Sequence, residues 1–302
     1  VEPQKILLYY GFTPIQDTAA VRLWQLTLCE SLGLKGRILV SPHGINGTVG
    51  GDMESLKTYV ARTKKYPGFK KIDFKWSEAT GNEFPRLAVR VKEELVAFGD
   101  PSVIKVSEDG VIGGGKHLKP YDVQKLVEER GDEVVFFDGR NAFEAKIGKF
   151  KNAVIPDVTT SRDFVEEIKS GKYDHLKDKP VVTYCTGGIR CEIISAVMVD
   201  NGFKEVYQIE GGIVKYGKKY GDKGLWEGSL YTFDGRMAID FSPKAKVIGE
   251  CESCNAPTKQ FYNCTRKACH ELVLLCEDCS KIDVSKSCIH DSNRAYDPEM
   301  VG

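Results

Sequence analysis

The chain has 302 residues, 41% hydrophobic and 28% charged, with 43 basic and 43 acidic side chains. That length accommodates two domains and a smaller module, and the zero net charge excludes a globally basic nucleic-acid binder while leaving room for a local basic face. No apolar run reaches the roughly 18 residues of a membrane span and no secretory leader pattern is visible from Val1 onward, so no membrane partner is expected and the compartment reads as cytoplasmic.

The first hundred residues read as small alternating elements. "ILLYYGF" (6–12) is β-rich, and Asp17 offers an N-cap to "TAAVRLWQLTLCESLGL", apolar at helical spacing. "KGRILVS" and "GTVGG" read as strands joined by the turn "PHGING". Asp52 caps a second helix, "DMESLKTYVART", and "RLAVRVKEELVAF" closes the unit as a strand. The order β-α-β-β-α-β predicts a ferredoxin-like α+β domain over residues 1–106.

Three consecutive glycines mark residues 107–118 as a linker. Strands then alternate with helices: "PYDVQKLVEE" (helix), "EVVFFD" (strand), "SRDFVEEIKS" (helix), "PVVTY" (strand), a helix after Arg190, and the strand "EVYQIEG". This alternation predicts a parallel α/β domain over residues 119–225. Residues 226–302 form a C-terminal extension holding seven of the ten cysteines.

Cys185 stands where the strand "PVVTY" gives way to Gly187, Gly188 and a helix. In an open parallel sheet, ligands bind outside the carboxyl ends of strands. The loop Thr186, Gly187, Gly188, Ile189 can aim backbone N–H groups at the sulfur, because the two glycines adopt conformations other residues avoid. The helix start and Arg190 add positive charge, and all three favour the nucleophilic thiolate. A buried structural cysteine is the plainer reading, which the glycines and Arg190 oppose. Cys191, just inside the helix, reads as a packing residue rather than a resolving thiol.

The loop Cys185-Thr-Gly-Gly-Ile-Arg190 resembles the active-site loop of the rhodanese superfamily, and "DGRNAFEAKIGKFKNAVI" and "VYQIEGGIVKY" resemble its upstream motif and closing strand. This resemblance makes Cys185 the nucleophile and Arg140 and Glu144 a structural ion pair; Lys149 stands where many members carry histidine. With "LLYYGF", "GRILVSPHGINGTVGG", "FPRLAVRVKEELVAFG", "YTFDGRMAI" and the cysteine-rich tail, nearly the whole chain resembles the rhodanese-like tRNA uridine hydroxylases. That resemblance implies dioxygen-dependent hydroxylation of carbon 5 of the wobble uridine, with dioxygen as co-substrate and tRNA, not DNA, as partner. His43 departs from it, since a glutamate is expected before "GING".

A local basic face is present. Between Lys57 and Lys75 lie seven basic residues and one acid, interleaved with Tyr66, Phe69, Phe74 and Trp76. Lys64, Lys65, Lys70 and Lys71 are candidate phosphate contacts and the aromatics candidate stacking platforms, against the reading of a solvated face over buried rings. Lys215, Lys218 and Lys219, after the Gly211-Gly212 turn, are further candidates. "GING" reads as a tight strand connection, and by resemblance as a candidate RNA contact.

In the tail, two Cys-x2-Cys knuckles (Cys251, Cys254 and Cys276, Cys279) fit one tetrahedral zinc. Cys264 and Cys269 could form a second set with Cys288 and His270. Reduced thiols without metal are the alternative. The rival functions are sulfur transfer by a Cys185 persulfide, phosphatase chemistry, and a non-catalytic rhodanese and zinc adaptor. Four residues between Cys185 and Arg190, where phosphatases place five, count against the second; the intact thiol and arginine count against the third. No dinucleotide fingerprint is found, and five dispersed histidines assign no iron site, so the activator of the oxidant is not identified.

Overall fold

Asp17 and Asp52 each start a helix. Asp17 Oδ1 accepts from Ala20 N–H at 2.8 Å ahead of α1 (Thr18–Ser31), and Asp52 Oδ1 from Ser55 N–H at 2.8 Å ahead of α2 (Met53–Thr63), each satisfying one orphan donor of a helix start. The computed structural model describes residues 3–266, 269, 271–282 and 284. They fall into two compact units, one from Val1–Ala142 and Asn152–Lys219, the other from Phe143–Lys151 and Tyr220–Gly302.

The first unit opens with β1 (Gln4–Phe12), β2 (Lys35–Ser41), β3 (Gly44–Asp52), β4 (Lys75–Glu78) and β5 (Leu87–Val91), one sheet in the order β4-β1-β3-β2-β5. The first four strands with α1 and α2 form the split β-α-β-β-α-β arrangement. Its closing strand is not "RLAVRV" but the four-residue β4, antiparallel to β1, while "RLAVRV" becomes β5, added parallel to β2 at the other edge. β4 has one apolar residue, Trp76, so it carries no alternation for a sequence reading to detect. "GING" lies inside β3 and not in a loop; Asn46 Nδ2 donates to the Leu95 carbonyl at 3.2 Å.

Leu7, Tyr9, Ile38, Val49, Leu56 and Tyr59 lie in the core of this domain. Phe69 and Phe74 are buried there as well, and Tyr66 and Trp76 pack against it. The expected stacking platforms are therefore core residues: burying a large ring contributes roughly 1.5–3 kcal/mol, which exposure to solvent would forfeit.

The stretch read as a linker carries a small hairpin, β6 (Val106–Ser107) with β7 (Gly110–Val111), and then β8 (Lys116–Leu118). After it come α3 (Pro120–Arg130), β9 (Val135–Asp138), the short α4 (Ala142–Ala145), β10 (Gly148–Phe150), α5 (Asp163–Lys169), β11 (Pro180–Tyr184), α6 (Ile189–Asp200), β12 (Glu205–Ile209) and α7 (Gly212–Tyr220). A parallel sheet runs β8-β12-β11-β9, so part of the expected linker is an edge strand of this sheet. Every residue of β11 is buried, as is every residue of α6 from Arg190 to Met198. Phe12, Leu95 and Phe98 of the N-terminal domain share a core with Phe137, Ile193 and Val197.

In the second unit, β10 pairs antiparallel with β13 (Trp226–Gly228), β14 (Leu230–Tyr231) with β15 (Ala238–Ile239), and β16 (Phe261–Asn263) with β17 (Leu272–Leu274), followed by α8 (Glu277–Ser280). Ile147, Tyr231, Phe261 and Leu274 form one core here, and Cys251, Val273, Leu275 and Val284 another. No helix among the described residues is long and apolar enough to cross a membrane.

Candidate active site

Cys185 follows the last residue of β11, at the carboxyl end of the parallel sheet, and its side chain is fully buried. The loop turns back on the sulfur: Gly188, at φ 106°, donates its backbone N–H to Sγ at 3.2 Å. Burial pushes the thiol up. Against it work hydrogen bonds from the Cys191 thiol, the charge of Arg190, and the backbone N–H groups of Cys191 and Gly188, which together bring the pKa down to about 6. The thiolate is thus the form held at neutral pH.

The loop is braced from below and covered from above. Ile213 N–H and Val214 N–H, at the start of α7, donate to the carbonyls of Cys185 and Thr186 at 3.0 and 3.1 Å. Gly212 lies so close that a Cβ there would stand 2.5 Å from the Cys185 carbonyl oxygen. Arg190 Nη2 donates to Thr186 Oγ1 at 3.3 Å. On the other side β1 presses onto the glycines: a Cβ on Gly187 would meet Leu8 Cδ2 at 2.9 Å, and one on Gly188 the Tyr10 hydroxyl at 2.8 Å.

Four residues that the sequence reading did not assign to the site complete it. The Tyr10 hydroxyl donates to Glu192 Oε1 at 3.0 Å, His117 Nε2 lies 2.9 Å from the same oxygen, and Gln208 Nε2 donates to Glu192 Oε2 at 3.0 Å. Lys75 Nζ sits over the Tyr10 ring, 5.0 Å from its centroid, and 3.8 Å from Asp73. Lys75, Arg190 and Glu192 are only 8%, 7% and 8% exposed. Burying charges is costly unless they compensate one another; here Lys75 and Arg190 face the Cys185 thiolate and the Glu192 carboxylate. Burial lowers the Lys75 pKa against the pull of Asp73, while the Glu192 hydrogen bond raises that of His117. Tyr10, His117 and Glu192 also line a cleft of about 220 Å³ with Phe12, Lys71 and Asp109. Cys185 does not line it. Only Glu192 had a local signal, its place beside the cysteine loop; Lys75 was hidden in the basic run.

The nearby Arg140 is fully buried and held by Asp138, with Nη2 to Oδ2 at 2.6 Å and Nε to Oδ1 at 2.9 Å, a structural pair.

Among the basic candidates, Lys64, Lys65 and Lys70 are exposed. Lys71 is exposed and bridges to Asp109 at 2.7 Å. Lys215 pairs with Glu210 and lies 3.8 Å from Asp73, Lys218 donates to the Trp76 carbonyl, and Lys219 sits 5.6 Å over the Tyr121 ring.

In the second unit the sulfurs of Cys251, Cys254, Cys276 and Cys279 lie within 4.8 Å of one another, with Cys254 and Cys276 at 3.6 Å. Tetrahedral zinc, with Zn–S near 2.3 Å, sets its sulfurs about 3.8 Å apart, so this donor set fits it. Of the second candidate set, Cys264 is buried and Cys269 partly so, whereas Cys288 and His270 lie outside the described residues.

A parallel α/β domain presenting a buried thiolate at a strand end, joined to a split β-α-β domain, defines a rhodanese-type enzyme. The family models agree: residues 4–95 match a UPF0176 acylphosphatase-like domain, 120–219 a rhodanese-like domain, and 227–292 a rhodanase C-terminal region. A protein of Corynebacterium jeikeium named tRNA uridine(34) hydroxylase is 64% identical over 298 residues, covering 99% of this chain and 96% of its own. Proteins of the same name from Corynebacterium urealyticum and an Arthrobacter species are 64% and 59% identical over 280 and 287 residues, covering 93% and 94% of this chain and 94% and 97% of theirs. The chain belongs to the tRNA uridine(34) hydroxylase family.

Proposed function

We propose that this chain hydroxylates carbon 5 of uridine 34 in tRNA in a dioxygen-dependent reaction, with Cys185 as nucleophile. The observation that carries the reading is a fully buried thiol whose pKa falls to about 6 inside a cluster of compensating charges. The near full-length identity to relatives named for this activity supports the substrate.

Uracil is electron-poor at carbon 6, and the Cys185 thiolate adds there. Carbon 5 then becomes enolate-like, with negative charge on the adjoining carbonyl oxygen. The Lys75 ammonium, beside the loop and largely removed from water, is the cation suited to stabilise that charge. Arg190 holds the loop and keeps the sulfur ionised. Oxidation at carbon 5 and departure of the sulfur restore the ring. The base must leave its stack, which an unpaired anticodon position makes inexpensive. Entry requires β1 to lift from the loop, and the Tyr10–Glu192 bond is the contact that must open.

The exposed Lys64, Lys65 and Lys70, with Lys71, supply the electrostatic face for tRNA, and Lys215, Lys218 and Lys219 extend it. Cys251, Cys254, Cys276 and Cys279 hold a structural zinc that fixes the cysteine-rich module and takes no part in the chemistry. Reduced thiols throughout suit a cytoplasmic enzyme.

The test is direct. Purified reduced protein, unmodified tRNA and isotopically labelled dioxygen should give labelled 5-hydroxyuridine at position 34, and Cys185→Ser should give none while still binding tRNA. Label arriving from water, or activity surviving Cys185→Ser, would overturn the reading.

A further inference from the structure

Hydroxylation by dioxygen leaves one oxygen atom and two electrons to be accounted for. Cys191 lies in the first turn of α6, and 1% of its surface is exposed. Its thiol and its backbone N–H both donate to the Cys185 sulfur, and its N–H also reaches the Gly188 carbonyl at 3.1 Å. Both sulfurs are anchored within one turn, so no domain motion is needed to bring them together. The pair is differentiated as well: Cys185 is the ionised member, and burial, with the neighbouring thiolate, keeps Cys191 protonated. A nucleophilic thiolate beside a buried thiol is the arrangement of a dithiol that cycles to a disulfide.

We infer that Cys191 is a second catalytic thiol, and that Cys185 and Cys191 together supply the two electrons of each turnover. This rests on the hydroxylase reading above. The steps balance. The Cys185 thiolate adds to carbon 6, and the carbanion at carbon 5 combines with dioxygen and a proton to give a carbon-5 hydroperoxide. Sulfur of Cys191 attacks the distal oxygen; the O–O bond breaks, leaving a hydroxyl on carbon 5 and a sulfenic acid on Cys191. Carbon 5 loses its proton, Cys185 leaves carbon 6, and 5-hydroxyuridine is complete. The freed Cys185 thiolate then condenses with the sulfenic acid, forming the disulfide and releasing water. Net, uridine, dioxygen and two thiols give 5-hydroxyuridine, water and one disulfide. While Cys185 is bonded to the base its charge is gone, and with it one of the influences keeping Cys191 protonated, so Cys191 becomes more nucleophilic when it is needed. An external dithiol reductant must then reopen the disulfide.

The experiment uses the full chain, reduced and desalted under anaerobic conditions, mixed with tRNA and then with aerated buffer lacking reductant. At most one 5-hydroxyuridine should form per chain, matched by an equal yield of Cys185–Cys191 disulfide in nonreducing peptide maps, and dithiothreitol should restore further turnovers. Cys191→Ser should lower product yield roughly tenfold or more, with or without dithiothreitol, while still forming the anaerobic covalent complex with tRNA carrying 5-fluorouridine at position 34, which shows fold and addition intact. Product formed without the disulfide, or Cys191→Ser turning over at the wild-type rate, would overturn the inference and leave the hydroxylase reading standing. Absence of product from wild-type protein supplied with both dioxygen and dithiothreitol removes that reading, and the inference with it.

Discussion

The Tyr10 hydroxyl donates a 3.0 Å hydrogen bond to Glu192 Oε1, tying β1 of the N-terminal domain to the helix that begins beside Cys185. Glu192 is held at the same time by His117 and Gln208, so the bond is made to a carboxylate already fixed in place. A hydrogen bond to a charged group contributes about 1.5–3 kcal/mol, enough to govern how often the cover over Cys185 opens. Tyr10→Phe keeps the ring under Lys75 and removes only the donor. Alkylation of Cys185 by iodoacetamide should accelerate roughly tenfold in this variant. An unchanged rate would mean that access to the sulfur is set elsewhere.

The pH profile of that alkylation tests the electrostatics of the loop. Only the thiolate reacts, so the rate should rise through pH about 6 and level off above it, where ordinary thiols are still rising toward about 8.5. Arg190 lowers the pKa by its charge, so Arg190→Ala should move the midpoint upward by about one unit or more. Activity should follow the same limb, falling as the pH drops below the midpoint. A midpoint unmoved by Arg190→Ala would assign the shift to the hydrogen bonds alone.

This half of the site was legible in the sequence because its parts are contiguous: a buried strand, a cysteine, two glycines and an arginine. The other half was not. Tyr10, Lys75 and His117 come from three separate segments, and only strand pairing and a shared core bring them to the loop. Lys75 sits in a run of solvated lysines, and nothing local marks it as the one turned inward. The misassigned closing strand has a related cause: β5 has the apolar alternation of a core strand, whereas β4 owes its place to pairing with β1. The cysteine knuckles were legible because each is local and a single closure joins them.

Gly212 and Gly202 separate strain from collision. Both have positive φ, 64° and 87°, so alanine at either costs about 1 kcal/mol in backbone strain. A Cβ at Gly202 meets nothing within 4 Å, whereas at Gly212 it would stand 2.5 Å from the Cys185 carbonyl oxygen and 2.7 Å from that of Thr186. Gly202→Ala should lower Tm slightly and keep activity. Gly212→Ala should displace the loop and cost activity at least about a hundredfold; near-normal turnover would show that the loop does not need this support.

The four clustered sulfurs should bring one zinc per chain in elemental analysis of reduced protein. Cys254→Ser with Cys279→Ser should lose it, and should destabilise the cysteine-rich module, whose second core is built around Cys251, Val273 and Leu275, because metal binding supplies folding energy to such a segment. Metal well below one per chain in the wild type would end the assignment.

The basic faces differ in how much charge they have to offer tRNA. Lys215 is neutralised between Glu210 and Asp73, and Lys218 is committed to the Trp76 carbonyl. Lys75 is buried. Lys64, Lys65 and Lys70 are exposed, while Lys71 would have to exchange Asp109 for a phosphate. Replacing Lys64, Lys65 and Lys70 with glutamine should therefore weaken tRNA binding more than replacing Lys215, Lys218 and Lys219. For every phosphate that the variant no longer neutralises, the dependence of log affinity on log salt should flatten by about 0.7–0.9, with the Cys185 alkylation profile unchanged. The reverse ranking would place the backbone of the anticodon arm along α7, at the mouth of the cysteine loop, and would mean that the carboxylates beside Lys215 give way when RNA binds.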